Sequence, residues 1–117
     1  MEPWQIAVEA ARSKKAEDIV VLDIGKVSSF TEFFVICTGT NTRQTQAIAD
    51  AVQEQMRAAG WRPMGVEGEQ RGEWVLVDYG DLLIHVFTPD KRAFYDLERL
   101  WSKAPRVPIP EEAPVEG

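Results

Sequence analysis

The sequence predicts an α/β domain, or α+β by a stricter definition, in which helices flank a mixed β-sheet. Short apolar runs at 19–24 and 33–37 are typical of buried strands, and a helical pattern spans 41–59. Residues 74–87 form two apolar runs around a turn sequence, which indicates a β-hairpin. A hairpin is antiparallel, whereas a connection through a helix allows a parallel crossover. The sheet is therefore expected to be mixed.

The elements are expected in the order helix, strand, strand, helix, strand, hairpin, helix. Pro3 suits the first turn of the first helix. Asn41 or Thr42 can cap the second helix, which should end at Gly60. Residues 61–67 contain a proline and are expected to form a weak edge strand. A final helix follows Thr88-Pro89-Asp90 and is expected to place Phe94, Leu97, Glu98 and Trp101 on one surface.

Composition indicates one ordinary globular domain. The 117 residues are 44% hydrophobic and 27% charged. We expect a single domain over 1–103 and a disordered tail over 104–117, where four prolines and three glutamates occur. No apolar run approaches the roughly 18 residues of a membrane span, and no targeting segment is evident, so a cytoplasmic location is expected. The single cysteine, Cys37, agrees with a reducing compartment.

The charge of the chain argues against direct nucleic-acid binding. Nineteen acidic and thirteen basic residues give a net charge of −6. Such a surface repels phosphate backbones unless it carries a basic stripe, and the sequence contains none. A nucleic-acid-rich assembly could still be the target if the contact is made through a basic protein.

The predicted hairpin has two chemically different faces. With a two-residue loop at Tyr79-Gly80, the predicted pairs are Asp78 with Asp81, Leu76 with Leu83 and Trp74 with His85. Because side chains alternate across a strand, one face is purely aliphatic. The aliphatic face contains Val75, Val77, Leu82, Ile84 and Val86. The other face contains Trp74, Leu76, Asp78, Asp81, Leu83 and His85.

The second face is a candidate protein-binding surface. Tryptophan beside aliphatic residues with an acidic rim is a common composition for such surfaces, and it favours a basic partner. Glu67 and Glu69 precede the hairpin and are expected to extend the rim. The alternative is that this face lies beneath a helix and that its aspartates are ordinary turn residues. One aromatic residue of the final helix could reach the same surface.

The sequence offers little for catalysis. Cys37 and His85 are the one pair available for a thiolate mechanism, and Cys37 ends an apolar strand, as structural cysteines do. Asp23, Asp78 and Asp81 could converge on a divalent ion, with the turn 38–41 at a phosphate. No glycine-rich loop supports that alternative. We therefore predict no catalytic residue, metal or cofactor, and a metal-dependent nucleotide-binding enzyme stays as the alternative.

Several short motifs together resemble one protein family. They are Asp23, Ser28-Ser29-Phe30, the run 34–40 (FVICTGT), Arg43, the run 47–50 (AIAD), Glu67-Gly68, Trp74-Val75, the run 78–81 (DYGD), His85-Val86-Phe87 and the run 95–101 (YDLERLW). Their order and spacing over about residues 3–102 resemble the RsfS/Iojap family of ribosomal silencing factors.

The resemblance implies a fold similar to nucleotidyltransferases without known catalysis. It implies binding to the large ribosomal subunit through uL-fourteen, a basic ribosomal protein. Occupying that surface would prevent the small subunit from docking and so repress translation when nutrients are limiting. The resemblance also implies a homodimer in the free state. The predicted partner-binding residues are Trp74, Leu76, Asp78, Tyr79, Asp81, His85 and Glu67.

Overall fold

The computed structural model describes residues 1–110 and contains a five-stranded sheet with helical segments on both faces. The helices are α1 (Pro3–Ser13), α2 (Thr42–Ala58), α3 (Pro89–Tyr95) and α4 (Leu97–Leu100), with a short 3₁₀ helix at Ile24–Lys26. The strands are β1 (Glu17–Asp23), β2 (Phe33–Thr38), β3 (Gly65–Glu67), β4 (Trp74–Asp78) and β5 (Leu82–Phe87).

The sheet is mixed, as predicted. Its strand order is β1-β2-β5-β4-β3. The central pair β2 and β5 is parallel, and every other pair is antiparallel. The α/β class and the flanking helices are therefore confirmed.

The predicted register of the β4–β5 hairpin is wrong by two residues. The observed pairs are Trp74 with Phe87, Leu76 with His85 and Asp78 with Leu83. The loop moves by one position because the Tyr79 N–H donates to the Leu82 carbonyl at 2.9 Å, which leaves Gly80 and Asp81 as the turn residues. Gly80 has φ +83°, a conformation that favours glycine. A shift by two residues preserves the alternation, so both faces keep their predicted strand residues and the Trp74 face gains Phe87.

The aliphatic face of the hairpin forms the main core beneath α1 and α2. Its five predicted members, Val75, Val77, Leu82, Ile84 and Val86, are all buried there. The helices contribute alanines and aliphatic residues, including Ala7, Val8, Ile48 and Val52. Small residues on the buried side of α1 let this helix lie close to the sheet.

The predicted limits of α2 and the edge position of the strand predicted over 61–67 are confirmed, although that strand begins only at Gly65. The Asn41 side-chain oxygen accepts a hydrogen bond from the Gln44 N–H at 2.9 Å and caps the helix. The helix ends before Gly60, whose φ of +94° is the left-handed conformation expected after a helix. The strand after Pro63 is only three residues long and lies at an edge of the sheet.

The predicted final helix is divided at Asp96, whose φ is +45°. Arg92 holds the two pieces together, because its Nε donates to the Glu98 carboxylate at 2.9 Å. Its Nη1 also donates to the Thr38 hydroxyl at 2.8 Å, which fixes the break against β2. The single surface predicted for this helix is therefore wrong. Phe94 is 76% exposed, whereas Trp101 packs against the sheet.

Residues 104–110 follow the edge of the sheet and are part of the folded structure. The Asp23 N–H donates to the Pro105 carbonyl, and the Val107 N–H donates to the Val21 carbonyl, both at 2.8 Å. Ala104 is buried. The folded part therefore extends beyond residue 103, because the proline-rich segment pairs with β1. The rest of the predicted tail, 111–117, lies outside the described residues. No helix within 1–110 has the length and apolar character needed to cross a membrane.

Gly68, in the loop before β4, lies so close to the backbone of that strand that a side chain would not fit there. A Cβ atom on Gly68 would lie 2.0 Å from the Trp74 carbonyl oxygen, and Gly68 has φ +78°. We expect Gly68→Ala to lower the free energy of unfolding by about 2–3 kcal/mol through strain and steric overlap. Urea denaturation measures this loss. The control is Gly65→Ala, where a Cβ meets no atom within 4 Å and stability should change by less than about 0.5 kcal/mol. Equal stability of the two variants would contradict the predicted overlap.

Candidate functional site

The Trp74 face of the sheet is covered at one side and partly open at the other. Its covered part is a second buried cluster formed by Leu22, Ile24, Phe34, Ile36, Phe87 and Ala104, with Leu97 and Trp101 packed on it. Within residues 1–110, helical cover on the part formed by β3, β4 and the start of β5 is limited to Tyr95 of α3, which contacts Trp74. We call this part the open sheet face and define it by Glu67, Trp74, Leu76, Asp78 and Leu83. Four of these side chains are half-buried, and Glu67 is exposed. The face is thus neither wholly covered, as the alternative held, nor wholly free.

Strand pairing brings the predicted residues of the open sheet face together. Glu67 pairs with Leu76, which pairs with His85 on the next strand. Paired residues point to the same side of a sheet, so these three form one row. Asp78 and Leu83 form the neighbouring row towards the hairpin tip. The structure therefore unites five of the seven predicted site residues: Glu67, Trp74, Leu76, Asp78 and His85.

Trp74 is held by aromatic contacts on its own face. Its ring centroid lies 5.1 Å from that of Phe87, in a stacked arrangement, and 4.5 Å from that of Tyr95. Tyr95 belongs to α3, so the prediction that one aromatic residue of the final helix reaches this surface is confirmed. Such pairs contribute roughly 0.5–1.5 kcal/mol beyond the area they bury. The indole is thus restrained before any partner arrives.

His85 is a buried positioning residue for Trp74. The Trp74 Nε1–H donates to His85 Nδ1 at 3.2 Å, so the neutral imidazole carries its proton on Nε2. Nε2 has no hydrogen-bond partner within the described part of the chain. Burial lowers the pKa of His85 from 6.5 to about 4. The side chain is 4% exposed and supports the open sheet face from beneath.

The charges around the open sheet face are divided between its two ends. Asp78 lies towards the hairpin tip, where its carboxylate accepts a hydrogen bond from the Gly80 N–H at 2.7 Å. Beside the start of β4, Glu73 is paired with Arg71 at 2.9 Å and with Lys91 at 3.7 Å. The acidic side chains of this face without a salt bridge among the described residues are therefore Glu67 on β3 and Asp78 near the hairpin tip.

The predicted acidic rim is smaller than expected because Glu69 lies elsewhere. The Glu69 carbonyl accepts a hydrogen bond from Gln46 of α2 at 3.0 Å. Helix α2 covers the opposite face of the sheet. The prediction that Glu69 extends the rim is therefore wrong.

The structure separates Tyr79 and Asp81 from the open sheet face. Tyr79 continues the alternation of Val75 and Val77, so its ring packs against the main core beneath the helices. Burial raises the pKa of its hydroxyl to about 12, while nearby Arg57 acts to lower it. Asp81 leaves the turn towards the same side and lines a cavity with Tyr79 and Trp4. The prediction that these two residues share a surface with Trp74 is therefore wrong.

The geometry does not support a thiolate mechanism. His85 pairs with Ile36, the neighbour of Cys37, so the Cys37 and His85 side chains point to opposite faces of the sheet. Cys37 is fully buried, and burial raises the pKa of its thiol to about 12. A neutral, inaccessible thiol is a structural residue rather than a nucleophile.

The turn into α2 also lacks the features of a phosphate site. Its donors are used internally: Gly39 N–H bonds to the Phe87 carbonyl at 2.9 Å, and Thr40 N–H bonds to the Gln44 side chain at 2.6 Å. The Gln44 N–H donates to the Asn41 side chain and is also unavailable to a ligand. Within residues 1–110, no three His, Cys, Asp or Glu side chains group in a way that could hold a metal ion. The three aspartates of the alternative hypothesis therefore form no such cluster.

Comparison with known proteins decides the family. A family profile described as "Ribosomal silencing factor during starvation" matches residues 2–116. The chain belongs to the ribosomal silencing factor family. The resemblance carried by the sequence motifs is thereby confirmed, and the chain is a ribosomal silencing factor by family, a class of translation regulators.

Individual members show the same relationship. "Ribosomal silencing factor RsfS" of Halalkalibacterium halodurans is 42% identical over 108 residues, 92% of each chain. A crystal structure of a protein from Chromobacterium violaceum is 38% identical with a TM-score of 0.83 and covers 100% of this chain and 95% of its own. The mouse protein "Mitochondrial assembly of ribosomal large subunit protein 1" is 32% identical over 98 residues, 81% of this chain and 43% of its own length.

Sequence reasoning missed two residues that complete the aromatic cluster of the silencing factor. Phe34 of β2 lies 4.6 Å from His85, between ring centroids, and Phe87 stacks on Trp74. In the observed strand pairing, both side chains lie on the same face of the sheet as Trp74. Finding Phe34 required the parallel pairing of β2 with β5, which no local pattern reveals. Phe87 was missed because the assumed loop was placed one residue too early.

The buried neutral His85 makes stability depend on pH. Its folded-state pKa of about 4 lies below the unfolded value of 6.5, so the unfolded chain takes up a proton first as the pH falls. The free energy of unfolding is therefore not reduced by His85 above about pH 6.5, and it falls by about 3 kcal/mol between pH 6.5 and pH 4 because of this residue. Urea denaturation across this range should show that decline in the wild type relative to His85→Gln. Parallel pH curves for the two proteins would contradict the assignment.

Proposed function

We propose that this chain represses translation by binding the large ribosomal subunit through uL-fourteen and sterically blocking the small subunit. The observation that carries the proposal is the open sheet face, where Trp74, restrained at one side by Tyr95 of α3, shares a surface with the half-buried Leu76 and Leu83. Nutrient limitation is the condition under which this block would operate. The proposal locates the protein in the cytoplasm, where bacterial subunits join.

The apolar part of the open sheet face has the properties of an interface centre. Trp74 and Leu76 lie on the same face of β4, and Leu83 lies on that face beside Asp78, nearer the hairpin tip. All three side chains are half-buried. Binding energy in protein interfaces concentrates on a few such residues, among which tryptophan is enriched. Because His85 and Tyr95 already hold the indole, little rotamer entropy is lost when a partner covers it.

The charge distribution supports a basic protein as the partner. Glu67 and Asp78 flank the apolar centre without a salt bridge among the described residues, and the whole chain carries a net charge of −6. A basic ribosomal protein would be attracted to this end, whereas exposed ribosomal RNA would be repelled. Arg71 and Lys91 at the other end would set the orientation of the complex.

We extend the proposal to the free protein, which the family resemblance implies to be a homodimer. Several large apolar side chains remain exposed near the aromatic cluster, including Phe30 at 54% and Phe94 at 76%. A second copy could cover them until a ribosomal subunit competes for the surface. Sedimentation velocity of the free protein reports this state directly.

The deciding experiment is co-sedimentation with isolated large subunits, small subunits and joined ribosomes, followed by a subunit-joining assay. We expect binding to large subunits only, with loss of joining in proportion to occupancy. Equal binding to all three particles would indicate a general acidic adaptor. Absence of binding by the folded protein would overturn the proposal.

Trp74 is expected to be the main anchor. Trp74→Ala should weaken binding to large subunits by about 2 kcal/mol or more, which is roughly 30-fold, because the apolar centre is removed. The matched variant Trp74→Phe keeps the ring contacts with Phe87 and Tyr95 and should retain most of the affinity. Circular dichroism and thermal unfolding verify that both variants fold. Wild-type affinity in a folded Trp74→Ala protein would disprove the anchor.

The two free carboxylates are expected to guide association. The double variant Glu67→Lys/Asp78→Lys should lower the association rate with large subunits and reduce its dependence on salt, because steering charges are reversed. Stopped-flow mixing over a salt series measures both effects. Glu54→Lys/Asp50→Lys is the control, since these exposed residues lie on α2 across the sheet. If both pairs slowed association equally, net charge rather than this site would be responsible.

A further inference from the structure

Helix α3, which carries Tyr95, is attached to the sheet without a buried side chain of its own. None of its seven residues is buried, and Phe94 and Tyr95 are 76% and 43% exposed. Apolar burial holds α1 and α2 in place, but it contributes little to α3. The position of α3 therefore depends on its polar contacts and on the Tyr95 ring.

Arg92 makes the strongest polar contacts of α3. Its Nε donates to the Glu98 carboxylate at 2.9 Å, and its Nη1 donates to the Thr38 hydroxyl at 2.8 Å and to the Asp18 carbonyl at 2.6 Å. These three acceptors belong to α4, β2 and β1. The Arg92 side chain is only 13% exposed, so these charge-assisted bonds are screened little by solvent. One guanidinium thus joins α3 to three other elements of the fold.

The Asp18 carbonyl meets Arg92 at an irregularity in β1. The pairing of β1 with β2 changes register between Glu17 and Val20, and Asp18 has φ +50°. Such irregularities leave backbone groups outside the strand ladder. The Arg92 guanidinium supplies a donor at this point. The start of β1 and α3 are therefore held to each other by a contact that does not involve the hairpin.

The other charged contact of α3 is weaker. The Lys91 ammonium lies 3.7 Å from the Glu73 carboxylate, and their side chains are 34% and 33% exposed. Exposed ion pairs of this kind contribute little to stability. The Thr88 N–H donates to the Glu73 carbonyl at 3.0 Å, which fixes the start of α3 rather than the end that carries Tyr95. Arg92 is thus the main polar restraint on that end.

Tyr95 transmits the position of α3 to the open sheet face. Arg92 and Tyr95 are three residues apart and are neighbours on the surface of the helix. The Tyr95 ring centroid is 4.5 Å from that of Trp74 and 6.2 Å from that of Phe87. A displacement of α3 at Arg92 would therefore separate the Tyr95 ring from the indole.

We propose that Arg92 is a positioning residue for Trp74. It holds α3 on the sheet so that Tyr95 packs on the indole, and it thereby orders the open sheet face before a partner binds. Preorganised side chains lose less entropy on binding, so Arg92 raises affinity through Tyr95 rather than by contact with the partner. The effect on affinity rests on the proposed function, whereas the effect on the free protein does not.

NMR spectroscopy of the free protein tests the positioning role. Arg92→Lys keeps the charge but loses the planar arrangement of donors, and Arg92→Met removes the donors altogether. Both variants should weaken the nuclear Overhauser effects between the Tyr95 and Trp74 rings and shift the Trp74 indole N–H signal. The indole signal of Trp4, which belongs to the main core on the opposite face, should stay unchanged and report that the fold is intact.

Two further variants sharpen the assignment. Arg106→Lys is the matched control, because Arg106 binds the same Glu98 carboxylate at 3.4 Å but is 66% exposed and lies outside α3. It should leave the Trp74 signals unchanged. Thr38→Val removes one acceptor of the guanidinium at a buried position and should move the Trp74 signals in the same direction by a smaller amount. The proposal is overturned if the folded variants of Arg92 and Thr38 keep the wild-type Trp74 signals, or if Arg106→Lys disturbs them equally.

A double-mutant cycle with isolated large subunits tests the effect on affinity. Arg92→Met and Tyr95→Ala should each weaken binding about two- to tenfold, and the double variant should bind no more weakly than the weaker single variant. Losses that add would show that Arg92 acts independently of Tyr95 and would contradict the proposal, as would wild-type affinity in a folded Arg92→Met protein. If the wild-type protein does not bind large subunits, the proposed function fails, and the NMR signals of the free protein still decide whether Arg92 positions Trp74.

Discussion

The parallel pairing of β2 with β5 is the constraint on which the rest of this structure depends. It runs from Phe33 beside Leu82 to Thr38 beside Phe87 and joins two antiparallel units that have no other strand pairing between them. Because the two strands are distant in sequence, their pairing requires the α2 crossover and is a non-local step of folding. Once formed, it aligns the side chains of both strands on two faces that differ in chemistry.

One face of this central pair is aliphatic, and the other contains a histidine among aromatic rings. Burying His85 in its neutral form is less favourable than burying another aliphatic residue, and its Nε2–H gains no partner in the described chain. The compensation is the hydrogen bond that orients Trp74. The buried histidine thus lowers stability, while its hydrogen bond fixes the position of the Trp74 indole at the edge of the open sheet face. This explains why a polar side chain occurs in the middle of the sheet of a silencing factor.

The elements that follow from local patterns were predictable, and those that depend on distant contacts were not. Asn41 and Gly60 mark the limits of α2 through capping chemistry that acts over a few residues. The break at Asp96 depends on Arg92 reaching Thr38 and Glu98, contacts that helical periodicity cannot anticipate. The same distinction holds at the site. Alternation placed Trp74, Leu76 and His85 together, but the register of the turn decided that Tyr79 and Asp81 belong to the other side.

The pairing of residues 105–107 with β1 has a consequence for the behaviour of the protein at high concentration. An unpaired outer strand offers a row of N–H and C=O groups to which a strand from another molecule can add. Here the Asp23 and Val21 backbone groups are already bonded to that segment, and the other outer strand, β3, has three residues. Neither border of the sheet within 1–110 offers a long template for aggregation. Removal of the segment 105–107 would therefore be expected to promote self-association through strand addition at β1, even if the core stayed folded.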